Sequence, residues 1–510
     1  MSCPPSDRRA RLVATLAAAL VMTTAAVAAA ETPLLEAARR DDIARVATLL
    51  KAHADVNARE AGGVTALHWA AHHDDVALAA MLVRAGARAG SADDTGATPL
   101  FLACMNRSGP MVRVLLDAGA DANAALINGE TALMTCSRTG DLTAVRALLS
   151  HGADVNRKEP LHDQTALMWA AAGRHADVVS ALVVAGANVR ARSRTYMQTV
   201  TSEVTQRRGR EQLNYTVPRG GSTPLLFAAR SGDAESARVL VEAGADVNDT
   251  LPNGVTALVE AAHSGHEDVG ILLLEKSADP NASEAGYTAL HAAVLRSGAR
   301  LVNALLAHGA DPNLRMTKGT PVRRNSEDFE LPATLVGATP YFLAAKFLEP
   351  AIMRALASAG ADTTLSMTSG DTPLMAAAGM GASSQTDRRG LSVIDGGRIE
   401  DESRVVESLA VALANGADVN AVNQAGDTAV HSAALLGYDR VVKQLAGAGA
   451  KLDVKNARGL TALDQIVQGV QIAGKSAAAL RSPDRANLGP RQSTVELLRA
   501  LGGGTLPGRD

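Results

Sequence analysis

Along almost the whole chain, short apolar stretches with helical spacing alternate with stretches of glycine, aspartate and asparagine. In the segment opened by Thr98, the positions Leu100, Ala103 and Cys104 fall on one face of a short helix. Val112, Leu115 and Leu116 fall on one face of a second. Thr or Ser just before an apolar run caps a helix N-terminus, and Pro one place later suits the first helical position. Gly119 stands 21 residues after Thr98, where it ends the second helix in a left-handed conformation that costs other residues about 1 kcal/mol. The pattern therefore predicts two antiparallel helices closed by a glycine.

That pair of helices is repeated. Thr32, Thr65, Thr98 and Thr131 are each 33 residues apart, and Thr165 follows at 34. After gaps the series resumes at Thr223, Thr256, Thr288, Thr339, Thr372, Thr428 and Thr461. Gly86, Gly152, Gly186, Gly244, Gly309, Gly360 and Gly449 share the offset of Gly119, whereas His53 and Ser277 take its place in two units, whose helix ends are expected to be looser. Ala70, Ala71, Ala228, Ala229, Ala261 and Ala262 are small residues that let neighbouring units approach closely. A period near 33 predicts an all-α repeat solenoid of about 12 helix-turn-helix units in place of a single closed core.

The units read TPLFLACMNRSGPMVRVLLDAGADAN from Thr98, TPLLFAARSGDAESARVLVEAGADVN from Thr223 and TALHAAVLRSGARLVNALLAHGADPN from Thr288. This resembles the ankyrin repeat, with its TPLHxAA start, VVxLL second helix and GADVN tail, and the resemblance runs from about Thr32 to Gly503. It implies hairpin fingers between repeats, a concave face that contacts partners through the positions seven and eight after each threonine, and no catalysis. In this sequence those positions include Arg230 with Ser231, His263 with Ser264, Leu295 with Arg296, Lys346 with Phe347, and, nearer the start, His72 with His73 and Met105 with Asn106.

Outside the repeats, Arg8, Arg9 and Arg11 precede an Ala-rich apolar run from Leu12 to Val27 and a small-residue site at Ala28, Ala29 and Ala30. Residues 1–30 read as a bacterial-type secretory signal, with an uncleaved membrane anchor as the alternative, which places the mature protein in the periplasm or outside the cell. The repeat array then covers 31–503, and 504–510 is a flexible tail. Removing the signal takes away three arginines and one aspartate and moves the formal charge from −3 to −5. A mildly acidic chain is poorly suited to neutralising phosphates, so nucleic acid is not an expected partner. Of the three cysteines, Cys3 lies in the signal. Cys104 and Cys136 occupy small-residue slots of neighbouring units. Equivalent helices about 10 Å apart are too distant for a disulfide, which needs Cα atoms within about 7 Å, so two buried thiols are expected.

The rhythm breaks near 194–219, 315–336, 380–402 and 470–492. The first two breaks fall where a finger is expected; the last two fall between the helices of one unit and are expected to be disordered. The first reads as an extended hairpin turning at Gln206 to Arg210. From Arg190 to Ser222 there are seven arginines and two glutamates. The two long fingers are thus expected to bracket a basic window for an acidic protein surface, with Arg207, Arg208, Arg210, Arg230, His263, Arg296, Lys346 and Phe347 as contact residues and His72 and His73 as a second group.

Chemistry is weakly represented. His68, His291 and His431 stand three after their threonines, and the recurring Asp of the GAD tail is likewise a repeat position. Trp69 and Trp169, four after theirs, are expected to point into the stack. Neighbours on a helix diverge by about 100°, so His72 and His73 are not expected to share a metal. HExxH, CxxC, phosphate-cradling glycine loops and GxSxG are all missing from the sequence. No cofactor or metal is expected. The reading is a monomeric, exported, non-catalytic protein-interaction scaffold, with a secreted effector or inhibitor as the alternative and an enzyme built on the insertions as a remote third.

Overall fold

The computed structural model describes residues 33–206, 209–320, 331–380, 393–394, 398–399, 402–467 and 491–502; between 200 and 215 it is the backbone that is described. The signal region, the breaks at 380–402 and 470–492 in large part, the middle of the break at 315–336 and the tail lie outside these residues. The chain divides into two compact units, the first ending at Ala191 and the second beginning at Arg192.

Each repeat consists of an inner helix directly after the threonine and an outer helix antiparallel to it. In the first unit the inner helices run Pro33–Arg39, Ala66–His73, Pro99–Met105, Ala132–Thr139 and Ala166–Gly173. Their outer partners are Ile43–Lys51, Val76–Arg84, Gly109–Asp117, Leu142–Ser150 and Ala176–Val184. The second unit adds seven more pairs, beginning with Pro224–Ser231 and Ala234–Glu242 and ending with Ala462–Val467 and Arg491–Ala500. The threonines cap as expected: the hydroxyls of Thr131, Thr223 and Thr256 accept from the backbone N–H three residues on, at 3.3, 3.4 and 3.2 Å. The outer helices carry their own caps, with Asp75 and Asp141 accepting from Leu78 N and Ala144 N.

Burial follows the helical period. Taking the threonine as zero, positions two, five and six fall within an arc of about 100° and form the core; Leu67, Ala70 and Ala71 are fully buried or nearly so. Position six of one inner helix faces position five of the next. Cys104 is a position-six residue and Cys136 a position-five residue, and their Cα atoms are 4.7 Å apart and joined by a disulfide. The expectation of two free thiols is overturned here. The spacing of 10 Å holds between helix axes, but this staggered pair lies on the line of closest approach, where small side chains let the backbones nearly touch.

The repeats are stitched by the GAD-x-N tail. Asp121 accepts from Asn123 N at 2.9 Å, which folds the turn and aims the asparagine at the next repeat. There Asn123 Nδ2 donates to Gly152 O at 2.9 Å, and its Oδ1 accepts from Asp154 N at 2.7 Å. The same two-point clamp joins Asn57 to Gly86 and Arg88, Asn281 to Gly309 and Asp311, Asn313 to Gly360 and Asp362, and Asn420 to Gly449 and Lys451.

The two units without the terminal glycine keep the same turn. His53 and Ser277 take φ of 59° and 67°, and their N–H groups still donate to Leu50 O and Leu274 O at 3.0 and 2.9 Å. Their helix ends are closed but strained, not loosened. A Cβ built on the glycines at this position, such as Gly244 and Gly309, meets nothing within 4 Å. Backbone preference alone therefore selects glycine. Ser277→Gly is expected to stabilise the second unit by about 0.5–1 kcal/mol, read from the urea midpoint.

Three histidines tie the inner helix to the following finger. His291 Nδ1 accepts from Thr288 N at 3.2 Å, and Nε2 lies 3.3 Å from Ala338 O. His68 and His431 repeat this with Ala97 O and Leu460 O. One ring nitrogen accepts while the other donates, so the ring must be neutral. Burial lowers the pKa of all three, that of His291 to about 4. The unfolded chain then binds more protons below pH 6.5, so stability is fully present above that value and falls as pH drops toward about 4. His291 accounts for roughly 3 kcal/mol of that loss. Urea titrations at a series of pH values should show this slope, and His291→Asn should remove most of it.

Candidate interaction faces

The first break in the rhythm is an antiparallel hairpin. β1 (Tyr196–Gln206) pairs with β2 (Gly209–Arg219) through eleven residue pairs, from Tyr196 opposite Arg219 to Gln206 opposite Gly209. The ladder is longer than the alternation of side chains indicates, because threonine, serine and glutamine continue it between the apolar positions. Arg207 and Arg208 at the turn lie outside the described residues; the backbone of Arg210 pairs with that of Thr205.

The Arg192 side chain helps mount the hairpin. Arg192 Nη1 donates to Gly221 O and to Thr250 O, both at 2.9 Å, and Nη2 meets the Asp249 carboxylate. Beside it Ser193 N donates to Ser222 O at 3.0 Å, and Ser222 N to Ser193 Oγ at 3.0 Å. The second break repeats the device. Arg315 Nη1 donates to Gly337 O and Ser366 O, both at 2.8 Å, and Thr320 N donates to Leu331 O at 2.9 Å. Arg192 and Arg315 occupy one repeat position, six after Gly186 and Gly309. Most other repeats hold a short side chain there, such as Ala92, Ala125 or Ser283. Arg59 stands there too, ahead of a repeat with no insertion, so an arginine at this position does not by itself mark one in the sequence.

Between the two insertions, the expected basic window is largely engaged internally. Arg230 Nε donates to the buried Glu260 at 2.8 Å, with the guanidinium 5.9 Å from the Phe227 ring. His263 is buried, its ring 6.4 Å from that of Tyr287. Arg296 Nη2 donates to Ser264 O at 3.2 Å. Lys346 Nζ reaches Met380 O at 3.5 Å, and burial lowers its pKa against the opposing pull of Asp371. Phe347 is half-buried just past the end of its helix, Pro340–Lys346. In the described part of the window, then, Arg230 is neutralised by Glu260, while Arg296 keeps its charge and is tethered to a backbone carbonyl.

In the first unit the same face holds a different set. His73 Nε2 lies 2.9 Å from Arg39 O, and the rings of His72 and His73 pack on Trp69 at 5.7 and 6.0 Å. Asn106 Nδ2 donates to Ala71 O and His72 O, both at 2.9 Å. Arg138 lies 5.4 Å from the centre of the Trp169 ring and reaches Met105 Sδ at 3.6 Å. Trp69 and Trp169 are half-buried on this face and do not point into the stack. Position four lies about 160° from the core direction and within about 60° of positions seven and eight, so the helical period alone decides their orientation. Their indole N–H groups are fixed by Glu60 and Gln164, both at 2.9 Å. Met105, 47% exposed, meets Arg138, which lies over Trp169, so this face carries apolar and aromatic groups on an aromatic-poor chain.

A family described as "Ankyrin repeats (3 copies)" matches in overlapping segments, 34–125, 68–159, 119–193, 160–250 and 225–316, which together cover more than half of the sequence. The chain belongs to the ankyrin repeat family. No curated protein matches it. Among solved structures, the human ASB11 ankyrin repeat domain is 25% identical over 55% of this chain and 99% of that one, with a TM-score of 0.37. The ankyrin fold accounts for the histidine ties and the asparagine clamps as architecture. Among the described residues, no group of three or more His, Cys, Asp or Glu side chains is placed to hold a metal. Also among them, no helix is long and apolar enough to cross a membrane.

The Arg192 mount yields a direct expectation. Arg192→Ala removes two charge-assisted bonds to carbonyls and should speed amide exchange at Ser193, Gly221 and Ser222 by roughly tenfold or more. Exchange within the outer helix Asp439–Gly447 should not change. Arg192→Lys should not restore protection, because one ammonium cannot span the two carbonyls and Asp249 together.

Proposed function

We propose that this ankyrin protein is an exported, non-catalytic scaffold that captures an acidic protein surface with the hairpin near 194–219. The observation that carries the proposal is the mounting of that hairpin. An eleven-pair ladder is anchored at its base by Arg192, while its sequence concentrates arginine on an otherwise acidic chain. A two-stranded ribbon is marginally stable alone, so a fixed base gives it a defined direction of approach. The inner-face cations contribute less to the charge. Arg230 is balanced by Glu260, and Arg296 keeps its charge but is tethered to a backbone carbonyl.

Export is supported by two features. The first 30 residues have the n-region, apolar run and small-residue site of a secretory signal. The Cys104–Cys136 disulfide is the kind of bond that persists in oxidising compartments and is rare in the cytosol. Cell fractionation tests this part. Mature protein in the periplasmic or extracellular fraction supports it, while uncleaved protein in the cytosol removes it.

Charge steering sets the test of binding. Reversal of Arg207, Arg208 and Arg210 to Glu should weaken capture of the partner from periplasmic extract by about 10- to 100-fold at low salt and flatten its salt dependence. Arg230→Ala should instead lower thermal stability, since it strands the buried Glu260 carboxylate, and leave the salt dependence unchanged. Equal affinity for the wild type and the triple variant would dismiss the hairpin as the contact element.

A further inference from the structure

We propose that Cys104 and Cys136 are an oxidation site for a protein disulfide, closed while the third and fourth repeats dock and sealed once they have done so. Both residues are wholly buried, and their Cα atoms are 4.7 Å apart, within the range a disulfide requires. Packing does not call for sulfur at this point. The equivalent joints hold Ala71 against Ala103, Ala229 against Ala261 and Ala345 against Ala377. The chain's only other cysteine is Cys3, so both cysteines of the repeat array face each other across one joint. Thr139 Oγ1 sits across the same joint, 3.1 Å from Cys104 O and 3.2 Å from Cys136 O.

Burial fixes the order of events. One cysteine thiolate attacks a sulfur of the oxidant's disulfide, forming a mixed disulfide and releasing one oxidant thiolate. The second cysteine thiolate then attacks the chain-side sulfur and releases the other. Two thiols lose two protons and two electrons, and the oxidant's disulfide becomes a dithiol. A protein-sized mixed disulfide does not fit between the closed helices Pro99–Met105 and Ala132–Thr139. The exchange therefore precedes their final approach, and later reduction needs the joint to open. Where no such oxidant is present, packing alone holds the joint.

The bond spans 32 residues of sequence. Closing a loop of that size shifts the local opening equilibrium by on the order of 100- to 1,000-fold. It also pins the neighbouring Met105 and Arg138, which meet each other and, through Arg138, the Trp169 ring on the inner face of the first unit. The inference does not depend on the identity of the partner.

The full chain carrying Cys3→Ala, in which Cys104 and Cys136 are the remaining cysteines, should after refolding with oxidised glutathione be lighter by two hydrogens than its reduced form and take no alkylating label in native buffer. Its reduction by dithiothreitol should be slow and should accelerate as urea opens the joint. Cys104→Ala combined with Cys136→Ala installs the pair that other joints carry, so the fold is retained. In that variant amide exchange across Pro99–Ser150 should rise by about 100-fold or more, while exchange in Asp439–Gly447 stays unchanged. Two labelled thiols after oxidative refolding, rapid reduction in native buffer, or unchanged exchange in the double variant would each overturn the proposal.

Discussion

The array depends on one interaction made again and again: an asparagine side-chain amide that donates to a glycine carbonyl of the next repeat and accepts from the N–H two residues further on. A repeat of this kind cannot bury its apolar face alone, and hydrophobic contact between thin helices fixes distance better than register. The amide adds register. Both groups that it binds sit beside the left-handed residue ending the outer helix, so the position of each repeat that follows such an asparagine is read from its neighbour's backbone. The preceding aspartate holds the asparagine in place by taking its N–H, which explains why GAD and N travel together.

A second set of contacts closes the other side of the stack. The last turn of an inner helix leaves carbonyls without helical partners, and the following repeat supplies donors for them. Asn106 reaches Ala71 O, Thr139 reaches Cys104 O, His175 approaches Arg138 O and Arg296 reaches Ser264 O. Side chains that look like an open binding surface in the sequence are in part the mortar between repeats. This is why His73 and Arg296 are less available to a partner than their positions imply, and why Arg230 stabilises a buried glutamate before it can serve anything else.

Much of the architecture was legible because periodic residues act through local geometry. Threonine caps, terminal glycines and the alternating core positions need only the helical period to be placed, and the helices begin where the caps said. Relations between neighbouring repeats were harder to read. The cysteine pair was judged by the mean separation of helices, although a one-position stagger brings two particular Cα atoms far closer than the axes. The tryptophans were assigned to the stack from their place four after the threonine, although that position's phase against Leu67 and Ala70 turns them outward. Of the candidate contact residues, the arginines of the hairpin were visible as a local excess of charge. Their mount at Arg192 was not, since its acceptors Gly221 and Thr250 belong to later turns of the repeat.

The arginines that precede the two insertions have a consequence for how this chain can change. Each fastens the chain on either side of an added segment to backbone carbonyls, groups that any residue type supplies. Whatever is spliced in beyond that fastening can lengthen, shorten or alter its chemistry without the stack registering the difference. The framework behaves like a rail with standard brackets, so a lineage can exchange the tool it carries while inheriting the rail intact.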